Sequence, residues 1–488
     1  MLASAIWIAG TDFLCPWNDF HHGSNGARYS LIARNYLAHG GDPTPRMDPV
    51  FADEPLFEPY LRHPPLLPAL IAVSFSVFGE AEWAARLIPL TAHAGVIVLL
   101  WWLARRWLGA RVAWLCVMLY AALPMSAYYG GMVDPQGSLV ILFVLSSLAA
   151  GELWIRRDSQ VAFVAAAMAV GLAALTDWPG FYWAGLFPVA MAILARDPAL
   201  RGRRRVWSVP CLGLLLAASY FAFAGLIRSD APEIFERALR TRSAWSLIEA
   251  GVGARELLTG VAERWRPYFP WAYLALGGLG VLFLVKDSAR RMVAGLMGLL
   301  TFFGLLHVAF FPQGAWVHEY WAYLWAPPLA ILAGAGLDGI ALTITRQPRA
   351  AWTLAVVVAL GISAHHGREV YERRQREQRF EAFDFAASVQ KHTEPDDVLL
   401  TTAPVPNFGA QLLYYLHRRV EPPLESLEAL ESHWSQASEP LVVLVHLPTL
   451  STIRDERLLR VLARRARIET GARGHSLWRR LVLPKPVE

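Results

Sequence analysis

Long apolar segments separated by short polar connections occupy most of this chain. A helix that crosses a lipid bilayer needs about 20 mainly apolar residues, because every backbone polar group must be satisfied inside the segment. The segments that come close to this length are 85–105, 112–129, 136–154, 161–176, 179–195, 206–227, 270–285, 291–311, 323–341 and 350–366. The sequence therefore predicts an all-α polytopic membrane domain.

The composition is that of a membrane protein, and it argues against a soluble, a disulfide-rich or a nucleic-acid-binding protein. Hydrophobic residues make up 55% of the 488 residues and charged residues 17%, against about 25% charged residues in soluble domains. The three cysteines, Cys15, Cys116 and Cys211, are widely spaced, which argues against a disulfide framework and a CxxC metal site. The net charge of +5 arises in scattered basic connections, so no nucleic-acid partner is predicted.

The basic residues mark one side of the predicted membrane domain. Lys or Arg residues cluster in 105–111, 155–158, 196–205, 286–291 and 345–349, and none occurs in 128–136, 177–180 or 312–321. By the positive-inside rule, the basic connections are cytoplasmic. Counting spans then predicts that 12–84, 228–269 and the chain after about residue 367 lie outside. Residues 1–10 are apolar but too short to cross, and we expect them to be part of a further span, which gives about eleven in all.

The sequence changes character after residue 366. The segment 371–392 predicts a polar to amphipathic helix, and DDVLLTT (396–402) and PLVVLVHL (440–447) predict buried strands. This alternation favours a small extracytoplasmic α/β domain over 367–488, following a membrane domain over 1–366. Because 367–488 contains no Gly-rich phosphate loop and no GxSxG motif, we expect it to support the site or recognise an acceptor rather than perform chemistry.

Polar residues at the predicted outer ends of the spans are the candidate functional residues, because an unpaired charge there is costly to desolvate. In DFHHGSNGARYSLIARN (19–35), we expect Ser24 or Asn25 to cap a helix that runs to about residue 39. Arg62 and His63 precede a double proline at a helix start, where cations and free amides suit a phosphate. The full set of candidates is Asp19, His21, His22, Asn25, Arg28, Tyr29, Arg62, His63, Asp134, His318 and Glu319.

Several of these residues also have a purely structural interpretation. Asp134 precedes a proline and can cap the next helix, and His318 can anchor the chain at the membrane interface. Arg62 can be an ordinary interfacial cation. The His21 and His22 pair can be a solvated loop feature, and without a third ligand it is weak evidence for a metal. We therefore predict no metal site from these residues.

Three motifs carry a resemblance to a known family: GARYSLIARNYLAHG (26–40), the stretch from HPPL to WAARLIP (63–89), and MVDPQ (132–136). They resemble the C-type glycosyltransferases of the dolichyl-phosphate-mannose protein mannosyltransferase superfamily, which includes lipid A aminoarabinose transferases. In topology, the resemblance covers essentially the whole chain. It implies the C-type fold and the transfer of a sugar, with inversion, from a polyprenyl-phosphate carrier to a lipid, polysaccharide or protein acceptor.

The resemblance also implies roles for individual residues. The family's first outer loop carries an acidic pair shortly before an Arg-Tyr pair, and the acid is the presumed base for the acceptor hydroxyl. Arg28 and Tyr29 match the Arg-Tyr pair, but Asn25 and Gly26 stand where the acids would be. Since an amide takes no proton at neutral pH, we expect the base to be Asp19, then His21 or His22. Asp134 as the base, an Asn25 that only orients the acceptor, and an inactive protein remain open.

The donor phosphate is expected to meet cationic side chains, because the leaving phosphate gains negative charge in the transition state. Arg28 and His63 fall where the family places these contacts, and Arg62 adjoins them. The resemblance implies no certain cofactor and leaves a divalent metal open. It implies a protein of the cell (inner) membrane, surrounded by membrane lipids, with its active site and C-terminal domain on the extracytoplasmic side.

Two other functions compete with transfer. A transporter or flippase of a lipid-linked glycan would place ionisable residues at span centres and would break helices in paired halves. Here His93 and His307 are the nearest exceptions to otherwise uncharged span centres, and we expect both to be hydrogen-bonded core residues. A non-catalytic envelope-assembly protein is the second alternative, because of Asn25.

Overall fold

The structure is a computed structural model that describes residues 9–38, 46–47, 58–59, 63–195, 209–215, 218–219, 222, 231–391, 398–401, 409–416, 419–421, 426–436, 441–446, 455–465 and 478–483. Packing divides the chain into two compact units. The first consists of Met1–Thr11, Leu61–Leu70 and Arg86–Gln375, and the second of Asp12–Tyr60, Ile71–Ala85 and Arg376–Glu488. The domain boundary at 366/367 stays a prediction from the sequence.

Helices dominate the described residues. In chain order they are α1 (His21–Ala38), α2 (Leu66–Phe78), α3 (Glu82–Leu108), α4 (Ala110–Ala122), α5 (Pro124–Tyr129), α6 (Ser138–Arg157), α7 (Gln160–Thr176), α8 (Pro179–Leu194), α9 (Ala231–Arg242), α10 (Ala244–Glu249), α11 (Ala254–Trp265), α12 (Trp271–Lys286), α13 (Arg291–Phe310), α14 (Pro312–Val317), α15 (Ala326–Thr345), α16 (Pro348–Arg376), α17 (Glu381–Gln390), α18 (Gly409–Leu416), α19 (Leu427–Gln436) and α20 (Glu456–Arg465). A 3₁₀ helix, Glu319–Trp325, precedes α15.

Several helices have the length and composition of membrane spans. Within the described residues, 5 segments are long and apolar enough to cross: Glu82–Leu108, Ser138–Arg157, Arg291–Phe310, Glu319–Thr345 and Pro348–Gln390. Shorter apolar helices are Leu66–Phe78, Ala110–Ala122, Gln160–Thr176, Pro179–Leu194 and Trp271–Lys286. The protein is therefore mostly helical and multi-pass. The predicted span 206–227 lies largely outside the described residues, so the count of about eleven spans stays a prediction.

One continuous apolar core joins the helices of the first unit, from Val96 on α3 to Val370 on α16. Glycines allow α12 and α15 to approach closely within it. A Cβ atom on Gly280 would lie 2.0 Å from the backbone oxygen of Leu332, and one on Gly336 would lie 2.0 Å from that of Leu276. Helices in membranes often pack through such small residues, because hydrocarbon side chains gain little by leaving lipid.

The second unit contains the strands of the chain's C-terminal part. The strands are β3 (Val398–Thr401), β4 (Arg419–Glu421), β5 (Leu441–His446) and β6 (Trp478–Leu483), after the short antiparallel pair β1 (Arg46–Met47) and β2 (Glu58–Pro59). The larger sheet has the order β4-β3-β5-β6, with β3 parallel to β4 and β5, and β6 antiparallel to β5.

Helix packing completes the second unit. Helix α1 packs against α18. A small apolar core joins α17 to α18 through Phe385, Ala386, Val389, Leu412 and Leu416. This arrangement holds the predicted functional residues of the first outer loop on a helix that is part of a packed unit.

Candidate active site

The predicted residues of the first outer loop lie on α1 and just before it. The helix begins at His21, earlier than the sequence indicated, because the Asn18 side chain caps it. Asn18 Oδ1 accepts hydrogen bonds from the backbone N–H groups of Phe20 (3.2 Å) and Gly23 (3.0 Å). Gly23 is required there, since a Cβ atom would lie 1.8 Å from the backbone oxygen of Asn18. Neither Ser24 nor Asn25 is therefore the cap, and the predicted helix end near residue 39 lies outside the described residues.

Asp19 binds the N-terminus of α17. Its two carboxylate oxygens accept backbone hydrogen bonds from Glu381 (2.8 Å) and Ala382 (3.0 Å), and its own N–H donates to the carbonyl of Arg379 at 2.9 Å. Burial raises the pKa of the Asp19 carboxyl, and the two backbone hydrogen bonds oppose that rise. A carboxylate has about four acceptor positions, so these contacts leave room for a further proton donor.

The other loop candidates occupy successive turns of α1. Asn25 and His21 face each other, with Asn25 Nδ2 3.2 Å from His21 Nε2, and Asn25 and Tyr29 are buried. The Nε atom of Arg28 is buried and meets no hydrogen-bond acceptor among the described residues. A buried arginine nitrogen without an acceptor costs free energy, and the phosphate contact expected at Arg28 stays a prediction.

His63, in the first unit, forms an ion pair that the sequence did not indicate. Its Nδ1 lies 2.8 Å from Oδ1 of Asp177. Asp177 follows the last residue of α7 and is completely buried, whereas His63 is partly exposed. The second carboxylate oxygen, Oδ2, is buried and has no hydrogen-bond partner in the described part of the chain. A carboxylate beside an imidazole fixes the ring's orientation and tautomer, as it does in catalytic triads.

Asp134 and His307 extend this polar region. Asp134 is buried, and its Oδ1 accepts the backbone N–H of Gln136 at 2.8 Å. The Gln136 amide nitrogen lies 2.9 Å from Nε2 of His307, whose ring stacks on Trp321 with centroids 4.5 Å apart. The Asp177 carboxylate also interacts electrostatically with His307. His63, Asp177, Gln136 and His307 therefore belong to one polar region inside an apolar unit.

Glu319 lies in a separate cluster of tyrosines in the same unit. Its Oε1 accepts hydrogen bonds from the hydroxyls of Tyr129 (2.7 Å) and Tyr268 (2.9 Å). The Arg373 guanidinium lies 3.9 Å from the same oxygen and stacks over Tyr268. His318 packs its ring beside Tyr320, with centroids 5.2 Å apart. Glu319 is thus a candidate held by three partners, while His318 has the aromatic neighbour expected of an interfacial anchor.

The histidines within the spans make core hydrogen bonds. The Nδ1 atom of His93 lies 3.4 Å from Ser138 Oγ and 3.3 Å from the Tyr323 hydroxyl, and His307 contacts Gln136 as described above. Both were expected to be hydrogen-bonded core residues, and these contacts agree with that expectation.

The structure brings some sequence candidates together and leaves others apart. In the second unit, Asp19, His21, Asn25 and Arg28 lie on or beside one helix; in the first, His63 and Asp134 belong to the polar region around Asp177. Arg62 lies outside the described residues. Asp177 was missed, although the rule that selected Asp134, an acid in an outer connection without Lys or Arg, applies equally to DWPG (177–180).

One group of residues in the described part of the chain combines three metal-binding side chains: His365, His366 and Glu369. It lies on α16, and neither His21 nor His22 belongs to such a group.

Residues 62–226 match the family model of dolichyl-phosphate-mannose-protein mannosyltransferases. The matched segment includes His63, Asp134 and Asp177. No curated protein matches the sequence.

Solved structures with a similar fold extend the comparison to nearly the whole chain. The structure of ArnT from Cupriavidus metallidurans bound to undecaprenyl phosphate has a TM-score of 0.63 and 19% identity, over 99% of this chain and 96% of ArnT. Its apo form gives a TM-score of 0.62 and 17% identity, with the same coverage. The Archaeoglobus fulgidus oligosaccharyltransferase, tethered to an acceptor peptide, has a TM-score of 0.57 and 13% identity, over 91% of this chain and 68% of that enzyme. These matches confirm the resemblance to C-type glycosyltransferases that the motifs indicated.

Proposed function

We propose that this protein is a membrane glycosyltransferase that moves a sugar from a polyprenyl-phosphate donor to an envelope acceptor, with inversion. The observation that carries the proposal is the pair formed by His63 and the buried Asp177, within the segment that matches the mannosyltransferase family model. The fold supports it further, because a similar structure, ArnT, binds undecaprenyl phosphate. We propose the extracytoplasmic face of the inner membrane as the place of reaction.

In this proposal, His63 contacts the donor phosphate. Its Nδ1 is directed to Asp177, so the other ring nitrogen donates to a phosphate oxygen when the ring is cationic. When the bond between the anomeric carbon and the phosphate oxygen breaks, its electron pair stays on the phosphate, and the cation stabilises the charge that develops. The leaving phosphate needs no proton, and hence the reaction needs no general acid.

The acceptor hydroxyl loses its proton as its oxygen bonds to the anomeric carbon, so a base is required. We retain Asp19 as the proposed base, with His21, His22 and Asp134 as alternatives and Asn25 as an orienting residue. Because burial raises the pKa of Asp19, this carboxylate is closer to the range in which a general base works well near neutral pH. Transfer should then fall as the pH drops through that raised pKa, since the protonated acid accepts no proton.

Arg28 is the proposed cation of the second unit. Its Nε is buried without an acceptor in the described residues, and a phosphate oxygen is the type of partner that a guanidinium binds best. Tyr29 and Glu319 remain further site candidates. The proposed acceptor is a lipid, a polysaccharide or a protein, because no residue in the described part of the chain distinguishes these classes.

Transfer of labelled sugar tests the proposal directly. The full chain in nanodiscs is supplied with labelled polyprenyl-phosphate sugars and a membrane extract, and the label on the carrier and on acceptors is measured. We expect label to leave the carrier with the wild type and not with Arg28→Ala or Asp19→Asn. A wild type that moves no label to any acceptor would overturn the proposed activity.

A matched control separates chemistry from folding. Asp19 caps α17, so its replacement can also destabilise the second unit, by about 1 kcal/mol if a cap is lost. Asp19→Asn keeps the length of the side chain and one of its two capping oxygens but supplies no base, so its thermal unfolding should stay closer to that of the wild type than the unfolding of Asp19→Ala, while both variants lose transfer. Full transfer by a folded Asp19→Asn variant would exclude Asp19 as the base without contradicting the proposed activity.

A further inference from the structure

Two histidines and a glutamate, none of them proposed for sugar transfer, meet on one side of α16. His365 and His366 lie at the end of the predicted span 350–366, and Glu369 follows by one helical turn. Residues three and four apart in a helix share a face, so Glu369 reaches both rings. Nε2 of His365 lies 3.5 Å from Oε1 of Glu369, and Nδ1 of His366 lies 2.8 Å from Oε2.

The ligand atoms of these three side chains are close enough to bind one ion, since all lie within 4.8 Å of one another. Zinc binds imidazole nitrogen and carboxylate oxygen at about 2.0–2.2 Å, which separates two ligands at the tetrahedral angle by about 3.4 Å. The distance between His365 and Glu369 already has this value. The contact of His366 is made with the other carboxylate oxygen, Oε2, at 2.8 Å, and it would have to lengthen by about 0.6 Å for zinc to enter.

The three side chains differ in exposure, and this difference allows the distances between them to change. The side chain of His366 is 12% exposed, and its ring lies 5.8 Å from that of Tyr273, so packing restricts its orientation. The side chains of His365 and Glu369 are 67% and 57% exposed. One ligand is thus held in place, and the other two can rotate to complete the coordination without disturbing the apolar core.

The simpler interpretation is a pair of His–Glu ion pairs on a helix surface. Such exposed pairs contribute little, typically about 0–1 kcal/mol. A divalent ion instead uses both neutral imidazoles and the carboxylate, and water completes the coordination. Two nitrogen ligands and one oxygen ligand favour zinc over magnesium or calcium, which prefer oxygen ligands alone.

We propose that His365, His366 and Glu369 bind one zinc ion through Nε2, Nδ1 and the Glu369 carboxylate, with water completing the coordination. The ion connects successive turns near the end of α16. This site is independent of the proposed glycosyl transfer, because none of its three residues takes part in that reaction.

Calorimetric titration tests the site. The full chain, purified in nanodiscs through a tag without histidine and freed of metal with a chelator, is titrated with zinc chloride. We expect saturable binding with an affinity at least about tenfold weaker in His365→Ala and in Glu369→Gln. Both positions are exposed, so the variants should fold. The absence of zinc binding by the wild type would overturn the proposal.

Two controls distinguish zinc binding at these ligands from zinc binding at other histidines. The chain has 14 histidines in all, His365 and His366 included. Glu372→Gln removes the Arg368–Glu372 ion pair one turn further along α16 and should bind zinc like the wild type. Magnesium chloride in large excess should not displace the zinc. Equal zinc affinity in the wild type, His365→Ala and Glu369→Gln would place the binding elsewhere, and displacement by magnesium would contradict a site with nitrogen ligands.

Discussion

At the scale of single residues, the buried carboxylate of Asp177 is the feature with the most direct bearing on the proposed chemistry. One of its oxygens holds His63, and the other has no hydrogen-bond partner among the described residues. A buried carboxylate with half of its acceptors unused is costly, unless a cationic partner or a bound ligand compensates. This unused oxygen is the observation that supports the proposed role of the pair in transfer.

Replacing Asp177 by asparagine tests this role. The Asp177→Asn variant keeps the shape of the side chain but removes the charge that holds His63, so we expect transfer to fall by about 10–100-fold, the usual cost of losing an orienting partner. Labelled-sugar transfer measures the effect. His63→Lys should retain more transfer than His63→Gln, because only lysine restores a cation.

Asp158→Asn is the matched control for Asp177→Asn. Asp158 is exposed and ends α6 in the left-handed conformation (φ 49°), which asparagine also tolerates. Its transfer and thermal unfolding should equal those of the wild type. Equal transfer by Asp177→Asn and the wild type would remove Asp177 from the site.

Part of the candidate site follows from sequence at this scale and part does not. An acid in a predicted outer connection can be selected by residue type and position, and the rule that selects Asp134 as a candidate also selects Asp177. The capping role of Asp19 could not be recognised, because its partners, Glu381 and Ala382, lie more than 360 residues further along the chain. Pairings over such separations depend on tertiary packing, which no local pattern encodes.

At the scale of elements, close contact between α12 and α15 depends on glycine. Gly336→Ala would bring a methyl group to within 2.0 Å of the Leu276 carbonyl oxygen, and a backbone atom cannot move aside as a side chain does. We expect this variant to unfold at a lower temperature, by an amount corresponding to about 1–3 kcal/mol of overpacking. Thermal unfolding in detergent, followed by tryptophan fluorescence, measures the change.

Gly278→Ala is the appropriate control, because Gly278 lies on α12, the other helix of this pair, and a Cβ atom there would meet no neighbouring residue within 4 Å. Alanine is also the better helix former. Its unfolding temperature should be unchanged or slightly higher. If both variants behaved alike, the glycine contact would not be what holds these helices together.

Most of the long apolar helices could be predicted from hydropathy, and one break that was not predicted follows from a proline. The segment 112–129 was predicted as one span, but α4 ends at Ala122 and α5 begins at Pro124. A proline inside a helix lacks the N–H group and clashes with the preceding turn. In the C-terminal part, β6 escaped prediction because it is an edge strand, and Arg479 and Arg480 interrupt its apolar pattern.

At the scale of the whole molecule, the distribution of basic residues predicts which connections face the cytoplasm. Helix α13 offers a test at both of its ends: Ser288 lies in the basic connection before it, and Val317 lies in the connection after it, and both are exposed. In a variant whose Cys15 and Cys211 are replaced by serine, we expect Val317→Cys to react with a membrane-impermeant maleimide in intact cells.

The companion variant Ser288→Cys should react only after the cells are permeabilised. Cys116 is buried and should contribute little background. Labelling of Ser288→Cys alone in intact cells would reverse the predicted orientation and place the proposed reaction on the cytoplasmic side.

Arg374, near the end of α16, has a consequence for the order in which the protein is assembled. Its buried guanidinium donates hydrogen bonds to the backbone carbonyls of Ala9, at 2.9 Å, and Tyr128. During synthesis, these carbonyls emerge from the ribosome hundreds of residues before the arginine that binds them. Until α16 has been inserted, they must be satisfied by water, lipid headgroups or the insertion machinery. The first unit thus acquires its final polar contacts late, and a truncation before residue 374 would leave them unmet even with every preceding helix in the membrane.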